Sequence, residues 1–159
     1  MPTIDPLSAT SLLLEIHDKS GIKAVATGFI IKNNEEYYLI TNRHVVNPPD
    51  FTATKLKVYF HSLILGQWNP QIVELYSQGN RIWLEHPKDN TYDVVAVPLT
   101  NLHFEIKLYP LDLNLANTDM IPEPAMPISI IGYPEGISTG IGFPIWKTGH
   151  IASDPDLNY

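Results

Sequence analysis

The chain has 159 residues, of which 44% are hydrophobic and 17% are charged, and it contains no cysteine. A chain of this size and apolar content is long enough for one domain with a buried core. The absence of cysteine excludes disulfides, thiolate metal sites and a cysteine nucleophile within these residues. The 10 basic and 17 acidic residues give a net charge of −7, which argues against nucleic-acid binding, because phosphate contacts need Lys and Arg.

The first ten residues are polar and include Pro2 and Pro6, so we expect them to form a surface lead-in. They contain no basic region followed by a long apolar stretch, and the three leucines at 12–14 are too short a run for a signal peptide or a membrane span. The sequence therefore predicts no membrane partner. With Met1 as the natural start, we expect a cytoplasmic protein.

Short segments typical of β-strands follow one another through the first hundred residues, separated by Gly, Pro, Asn and Asp. Residues 55–61 alternate between apolar and polar, which is typical of a half-buried strand. In the predicted strand 22–32, Gly28 has no side chain and leaves room for another backbone or a bulky ring. No long run has helical spacing before residue 100. This pattern predicts an all-β fold, an antiparallel barrel or sandwich. The predicted strands are residues 11–17, 22–32, 37–41, 55–61, 71–76, 81–84 and 93–99.

The most informative stretch is a pair of strand-like runs on either side of a polar turn. Residues 26–32 read ATGFIIK, residues 33–36 read NNEE, and residues 38–46 read YLITNRHVV. Asparagine tolerates the conformations of a tight turn, so the two runs predict a β-hairpin. His44 follows the second strand, in a single helical turn predicted over 42–46, and is expected to project into a cleft. A capping or surface role is the alternative for this His.

A carboxylate precedes another apolar strand. Asp93 begins the run DVVAVPL at residues 93–99, which places an acid at a strand start. A turn or strand-edge Asp is the alternative. Asp89 competes for the same role, but it lies in PKDN, a composition typical of a turn that explains it without a function.

The second half of the chain is less regular. Residues 109–127 hold four prolines with Asp and Asn between them, which predicts a connector between two halves. Residues 127–134, which end in a turn, and residues 144–152 then predict two further strands.

Together these segments resemble the trypsin-like serine peptidases, especially their bacterial branch. The resemblance rests on the patterns TGFII and LITNRHVV around His44, DVVAV at Asp93, GYPEG at 132–136 and KTGHIAS at 147–153. It implies a trypsin-like antiparallel β-barrel fold. Residues 1–108 would form a complete first barrel, 109–127 the connector, and 128–159 the opening strands of an incomplete second barrel.

The resemblance also implies the chemistry. His44 would be the general base and Asp93 the acid that orients it in a serine-type endopeptidase that acts on polypeptides through an acyl-enzyme. The nucleophile motif of that family, Gly-x-Ser-Gly, does not occur in this sequence. We therefore expect this chain to be a fragment without its nucleophile and without activity on its own. The alternative is a catalytically inactive, peptidase-like module that binds a peptide or a protein.

Two serines within the chain, Ser138 and Ser153, are candidate nucleophiles. Ser138 lies in GISTG, which spells the Gly-x-Ser-x-Gly elbow of the α/β-hydrolases, but that elbow requires a strand before the Ser and a helix after it. Gly142 and Pro144 follow closely and disfavour a helix. Ser153 lies at a predicted strand end. An α/β-hydrolase that uses Ser138 is thus a third hypothesis, which the sequence disfavours.

Nothing in the sequence predicts a cofactor or a metal. No His-Glu-x-x-His helix and no pair of ligand-spaced histidines occurs. We expect the other histidines to be surface or strand residues and the tryptophans to serve in packing. These histidines and tryptophans are His17, His61, His86, His103, His150, Trp68, Trp83 and Trp146.

An incomplete second barrel would expose strand edges, so we expect self-association through them.

Overall fold

A computed structural model describes residues 4–88, 91–140 and 142–154. In this part of the chain the protein is all-β with antiparallel sheets, as the sequence predicts. The helices are single turns, α1 (Leu7–Thr10) and α2 (Arg43–Val46), and 3-10 turns lie at Leu113–Ala116 and Pro134–Gly136. The strands are β1 (Ser11–Asp18), β2 (Gly21–Asn33), β3 (Glu36–Thr41), β4 (Lys55–Ser62), β5 (Trp68–Glu74), β6 (Tyr76–Ser77), β7 (Asn80–Arg81), β8 (Leu84–Glu85), β9 (Val95–Leu99), β10 (Ile106–Lys107), β11 (Pro127–Gly132) and β12 (Ile145–His150).

Most of these strands form one antiparallel sheet. Its order is β10-β4-β1-β2-β3-β9-β8, and β5 pairs with β4 as well. The turn between β1 and β2 is held by the Asp18 carboxylate, which accepts hydrogen bonds from the backbone N–H groups of Ser20 (2.7 Å) and Gly21 (3.1 Å). The β2–β3 hairpin turns where the sequence predicts it, with Asn34 at a φ of 55°. β3 pairs in turn with β9, which places the end of β3 beside the start of β9.

The main sheet does not close into a barrel within the described residues, so the predicted complete first barrel is not confirmed. A gap of about 630 Å³ separates β5 from Pro98 of β9. Both strands carry a proline, Pro70 in β5 and Pro98 in β9, and proline has no N–H for a ladder across such a gap. A side chain crosses instead: Gln71 donates to the carbonyl oxygen of Asn101 (3.2 Å) and accepts from the N–H of His103 (2.9 Å).

The hydrophobic core lies against one face of this sheet. The alternation predicted for residues 55–61 is confirmed, because Leu56, Val58 and Phe60 of β4 are fully buried. Val45 and Val46 of α2 join the same core, which anchors that helical turn. Burial of each such side chain contributes about 1.5–3 kcal/mol relative to its exposure.

The β11–β12 hairpin packs on the opposite face of the sheet. The Ser11 hydroxyl donates to the carbonyl oxygen of Ile131 (3.2 Å), and the N–H of Tyr133 donates to the hydroxyl of Thr27 (2.9 Å). The fit at Gly132 is close, since a Cβ there would lie 3.0 Å from the Thr27 hydroxyl and that side chain would have to shift. The hairpin is thus joined to β1 and β2 by direct hydrogen bonds.

α1 joins the β11–β12 hairpin in a second layer over the sheet, so the prediction of a surface lead-in is wrong for Ser8 and Ala9, whereas residues 5–7 are exposed as predicted. Ser8 and Ala9 of α1 are buried, at 9% and 1% exposure. The indole N–H of Trp146 in β12 donates to the Ser8 hydroxyl (2.9 Å). This hydrogen bond joins α1 to β12.

The division into residues 1–108, 109–127 and 128–159 remains a prediction. So does self-association. Ile128 and Ile130 of β11 are 41% and 63% exposed, which is the apolar surface on which that prediction depends.

The loop before β12 provides a test of how the two layers hold together. Gly142 has a φ of +79°, and a Cβ there would lie 2.7 Å from the Trp68 ring. Its carbonyl oxygen accepts hydrogen bonds from the Trp68 indole (3.1 Å) and the Tyr133 hydroxyl (3.0 Å). We expect Gly142→Ala to lower the free energy of unfolding by about 2–3 kcal/mol, through steric overlap and backbone strain. Urea unfolding followed by tryptophan fluorescence measures this loss.

Gly140→Ala is the matched control for that substitution. A Cβ at Gly140 would meet no atom within 4 Å, so we expect little change in stability. Equal losses in the two variants would contradict the proposed contact with Trp68.

Candidate active site

His44 lies on α2, immediately after the end of β3. The hydroxyl of Thr41, the last residue of β3, donates to the carbonyl oxygen of Thr27 in β2 (2.9 Å), which fixes the strand end. Val45 and Val46 anchor the helical turn in the core. The side chain of His44 is 63% exposed and faces away from the core. The sequence thus places a solvent-accessible imidazole on a rigid support.

Asp93 reaches the same place from a different strand. Thr41 pairs with Val95 at the start of β9, so the residue two positions before Val95 lies beside α2. The Asp93 Oδ2 is 2.6 Å from Nδ1 of His44, and Oδ1 accepts a hydrogen bond from the backbone N–H of His44 (3.0 Å). The structure therefore brings together the two side chains that the sequence singled out, while their catalytic roles stay predictions.

A third side chain completes the cluster, and the sequence reasoning missed it. The amide nitrogen of Asn42 donates to the carbonyl oxygen of Asp93 (2.9 Å) and to its Oδ2 (3.2 Å). An Asn before a helical turn is ordinarily interpreted as an N-cap, so the sequence carried no separate signal for this contact.

The hydrogen bonds keep the Asp93 carboxyl ionised. Partial desolvation by itself raises the pKa of Asp93, but hydrogen bonds from the backbone and the ring of His44, attraction to that ring, and the backbone of Arg43 outweigh it. The pKa of Asp93 therefore lies below its ordinary value. An ionised carboxylate only accepts hydrogen bonds, so the network assigns the proton of a neutral His44 to Nδ1.

That assignment leaves Nε2 of His44 as a base. Its lone pair is not used within the described residues, where no hydrogen bond to Nε2 is present. A neutral imidazole with a free Nε2 and an ionised carboxylate on Nδ1 is the arrangement that removes a proton from a hydroxyl in acyl transfer.

The pair opens onto a surface cavity of about 550 Å³. A hydroxyl or thiol that could act as a nucleophile is missing from its described lining. The lining residues are Arg43, His44, Asn47, Pro48, Pro49 and Asp93.

The other candidates from the sequence lie elsewhere. Ser138 lines a separate cavity beside Trp68, and the described residues after it form a turn and then β12 rather than a helix. The α/β-hydrolase hypothesis is therefore wrong, because the elbow lacks its helix. Ser153 follows β12, and Asp89 lies outside the described residues.

Within the described ranges, no group of three or more His, Asp or Glu side chains is arranged to hold a metal ion. Nor does any helix in those ranges have the length and apolar character needed to span a membrane.

Comparison with protein-family models and with curated proteins finds no match to this chain. The geometry of His44, Asp93 and Asn42 is therefore the basis for any functional assignment.

Proposed function

We propose that this chain carries the base and the orienting acid of a serine-type endopeptidase with a trypsin-like fold. The observation that carries the proposal is the 2.6 Å contact between Nδ1 of His44 and Oδ2 of Asp93. The resemblance adds the chain order of the two residues and their positions, one after a strand and one before a strand. The same proposal makes the main sheet the counterpart of a first barrel and β11–β12 the opening strands of a second.

In this mechanism Nε2 of His44 accepts the proton of a serine hydroxyl while its oxygen forms a bond to the peptide carbonyl carbon. The imidazolium that results donates the proton to the leaving amine as the C–N bond breaks, which leaves an acyl-enzyme. Water then repeats the sequence with His44 as base, and the carboxylic acid is released. Asp93 stays ionised throughout and stabilises the imidazolium.

The nucleophile in this proposal lies outside the 159 residues. The described lining of the cavity at His44 offers no hydroxyl, and Ser138 belongs to another cavity. The oxyanion donors would accompany that nucleophile. The substrate class is polypeptide.

The test compares two proteins: this chain, and a product that includes any coding sequence that follows codon 159. A fluorophosphonate probe, which phosphonylates activated serines, should label the longer product at one serine and leave this chain unlabelled. We expect His44→Ala to slow the labelling by about a thousandfold or more, because the general base is lost. His103→Ala, at an exposed His on another loop, is the matched control.

Each outcome bears on a different part of the proposal. Labelling of Ser138 in this chain, dependent on His44, would show that the nucleophile is misplaced. Labelling of the longer product at an undiminished rate in His44→Ala would remove His44 from the mechanism. A longer product without an activated serine would favour the peptide- or protein-binding module, which agrees with the absence of a hydroxyl from the described lining of the cavity.

A further inference from the structure

Asn42 occupies the N-cap position of α2 without capping it. Its backbone is extended, with a φ of −72° and a ψ of 149°, as an N-cap requires, yet its side chain makes no capping hydrogen bond. An N-cap side chain ordinarily accepts a hydrogen bond from a backbone N–H of the first helical turn, such as that of His44. Here the N–H of His44 donates to Oδ1 of Asp93 instead. The carboxylate has taken over the cap, and the Asn42 amide is free for another role.

That role is visible in its two hydrogen bonds. The amide nitrogen donates to the carbonyl oxygen of Asp93 (2.9 Å) and to Oδ2 of the same residue (3.2 Å). Both partners are acceptors only, so the NH₂ group, which has two hydrogens, must face them. One amide thus joins the main chain of Asp93 to its own carboxylate and restrains rotation of that side chain.

We infer that Asn42 is a positioning residue that fixes the proton of neutral His44 on Nδ1 by holding the carboxylate of Asp93 in place. The catalytic meaning of this inference rests on the proposed function, whereas the effect on the tautomer does not. The restraint matters because the Asp93 side chain is 48% exposed, and water competes for its oxygens at such a site. Without the Asn42 amide, the carboxylate has rotamers in which Nδ1 loses its acceptor.

The experiment is ¹⁵N NMR of the imidazole in this chain, at a pH where the ring is neutral. The ¹⁵N shifts of a neutral histidine distinguish the protonated nitrogen from the one with a lone pair. We expect His44 in the unaltered chain to be protonated on Nδ1. In Asn42→Ala we expect the Nδ1–H population to fall at least about twofold. In Asn42→Asp we expect it to fall further, because a second carboxylate cannot donate and repels the first.

Asn42→Asp also separates positioning from capping. Asp is as good an N-cap as Asn, so a purely structural role predicts no loss in this variant. Gln71→Ala is the matched control, since it removes two hydrogen bonds of a side-chain amide at a distant part of the sheet. The His44 shifts should not change in it.

A wild-type Nδ1–H population in both Asn42 variants would overturn the inference. Asn42 is exposed, so we expect both variants to fold, and circular dichroism checks this. If only one variant folds, its tautomer decides the question. The NMR measurement requires no turnover, so it is independent of the proposed function. If the Asn42 variants shift the tautomer but the longer product has no peptidase activity, the proposed function is wrong and the positioning role of Asn42 is retained.

Discussion

Replacement of Asp93 by Asn is expected to lower kcat for a peptide ester by about four orders of magnitude in a product that contains the nucleophile. The carboxylate now accepts from the backbone N–H of His44, its Nδ1 and the Asn42 amide. An amide has one acceptor oxygen, and the backbone N–H of His44 keeps it at the position of Oδ1. Its NH₂ then faces Nδ1, and the ring can accept that hydrogen bond only with its proton on Nε2. Nε2 of His44 then carries the proton and cannot act as the base, although the Asn side chain has nearly the same shape as the Asp side chain that it replaces.

Two measurements check this expectation. Steady-state kinetics give the loss in kcat, and ¹⁵N NMR of this chain should show the His44 proton moved to Nε2. Asp18→Asn is the matched control, because Asp18 is also a carboxylate that accepts hydrogen bonds from backbone N–H groups at a turn, but between β1 and β2. An Asp93→Asn enzyme within tenfold of the parent would show that Asp93 does not orient the base.

The contact between His44 and Asp93 could be predicted because local patterns fix each residue. His44 follows a strand with strong β character, and Asp93 precedes another. The resemblance then implies that the two strand ends meet. Asn42 could not be predicted, because its partner lies 51 positions away and its position before a helical turn already has an ordinary explanation as an N-cap.

The fold shows the same division between local and distant causes. Strands β1 to β4 agree with their predicted bounds to within one residue, since periodicity and turn residues specify them. The strand predicted at 71–76 lies instead at Trp68–Glu74, and the one at 81–84 is reduced to parts of β7 and β8. Closure of a barrel depends on whether two edges meet, which no local pattern encodes, and Pro70 and Pro98 lie on those edges.

His61 leads to the second large effect. It lies in β4, and a strand His is one of the two interpretations that the sequence predicts. The residue is nevertheless fully buried, and neither ring nitrogen has a hydrogen-bond partner among the described residues. Its ring lies 5.5 Å from that of Tyr109 and 5.6 Å from that of Phe143, measured between centroids. Alternation along β4 sends Phe60 into the main core and His61 to the opposite face, where the second layer covers it.

The burial of His61 makes the protein sensitive to acid. Burial lowers the pKa of His61, and a weaker contact with the backbone of Ala9 opposes the shift. Lys107, opposite His61 on β10, places its ammonium over the Tyr109 ring. A group with a lowered native pKa binds its proton more readily in the unfolded chain. The free energy of unfolding therefore falls as pH drops below the unfolded value of about 6.5, until the native pKa is reached.

We expect His61→Phe to remove this dependence. An aromatic ring is kept at this position and the two unpartnered ring nitrogens are lost, which we expect to stabilise the folded protein by about 1–2 kcal/mol at pH 7. Between pH 6.5 and 5 the advantage over the parent should grow by up to about 1.4 kcal/mol per pH unit. Urea unfolding at a series of pH values measures both the stabilisation at pH 7 and its growth at lower pH. His150→Phe, at an exposed strand His, should keep the parent's pH profile. Parallel profiles for the parent and His61→Phe would mean that the second layer opens to admit water to His61 before the domain unfolds.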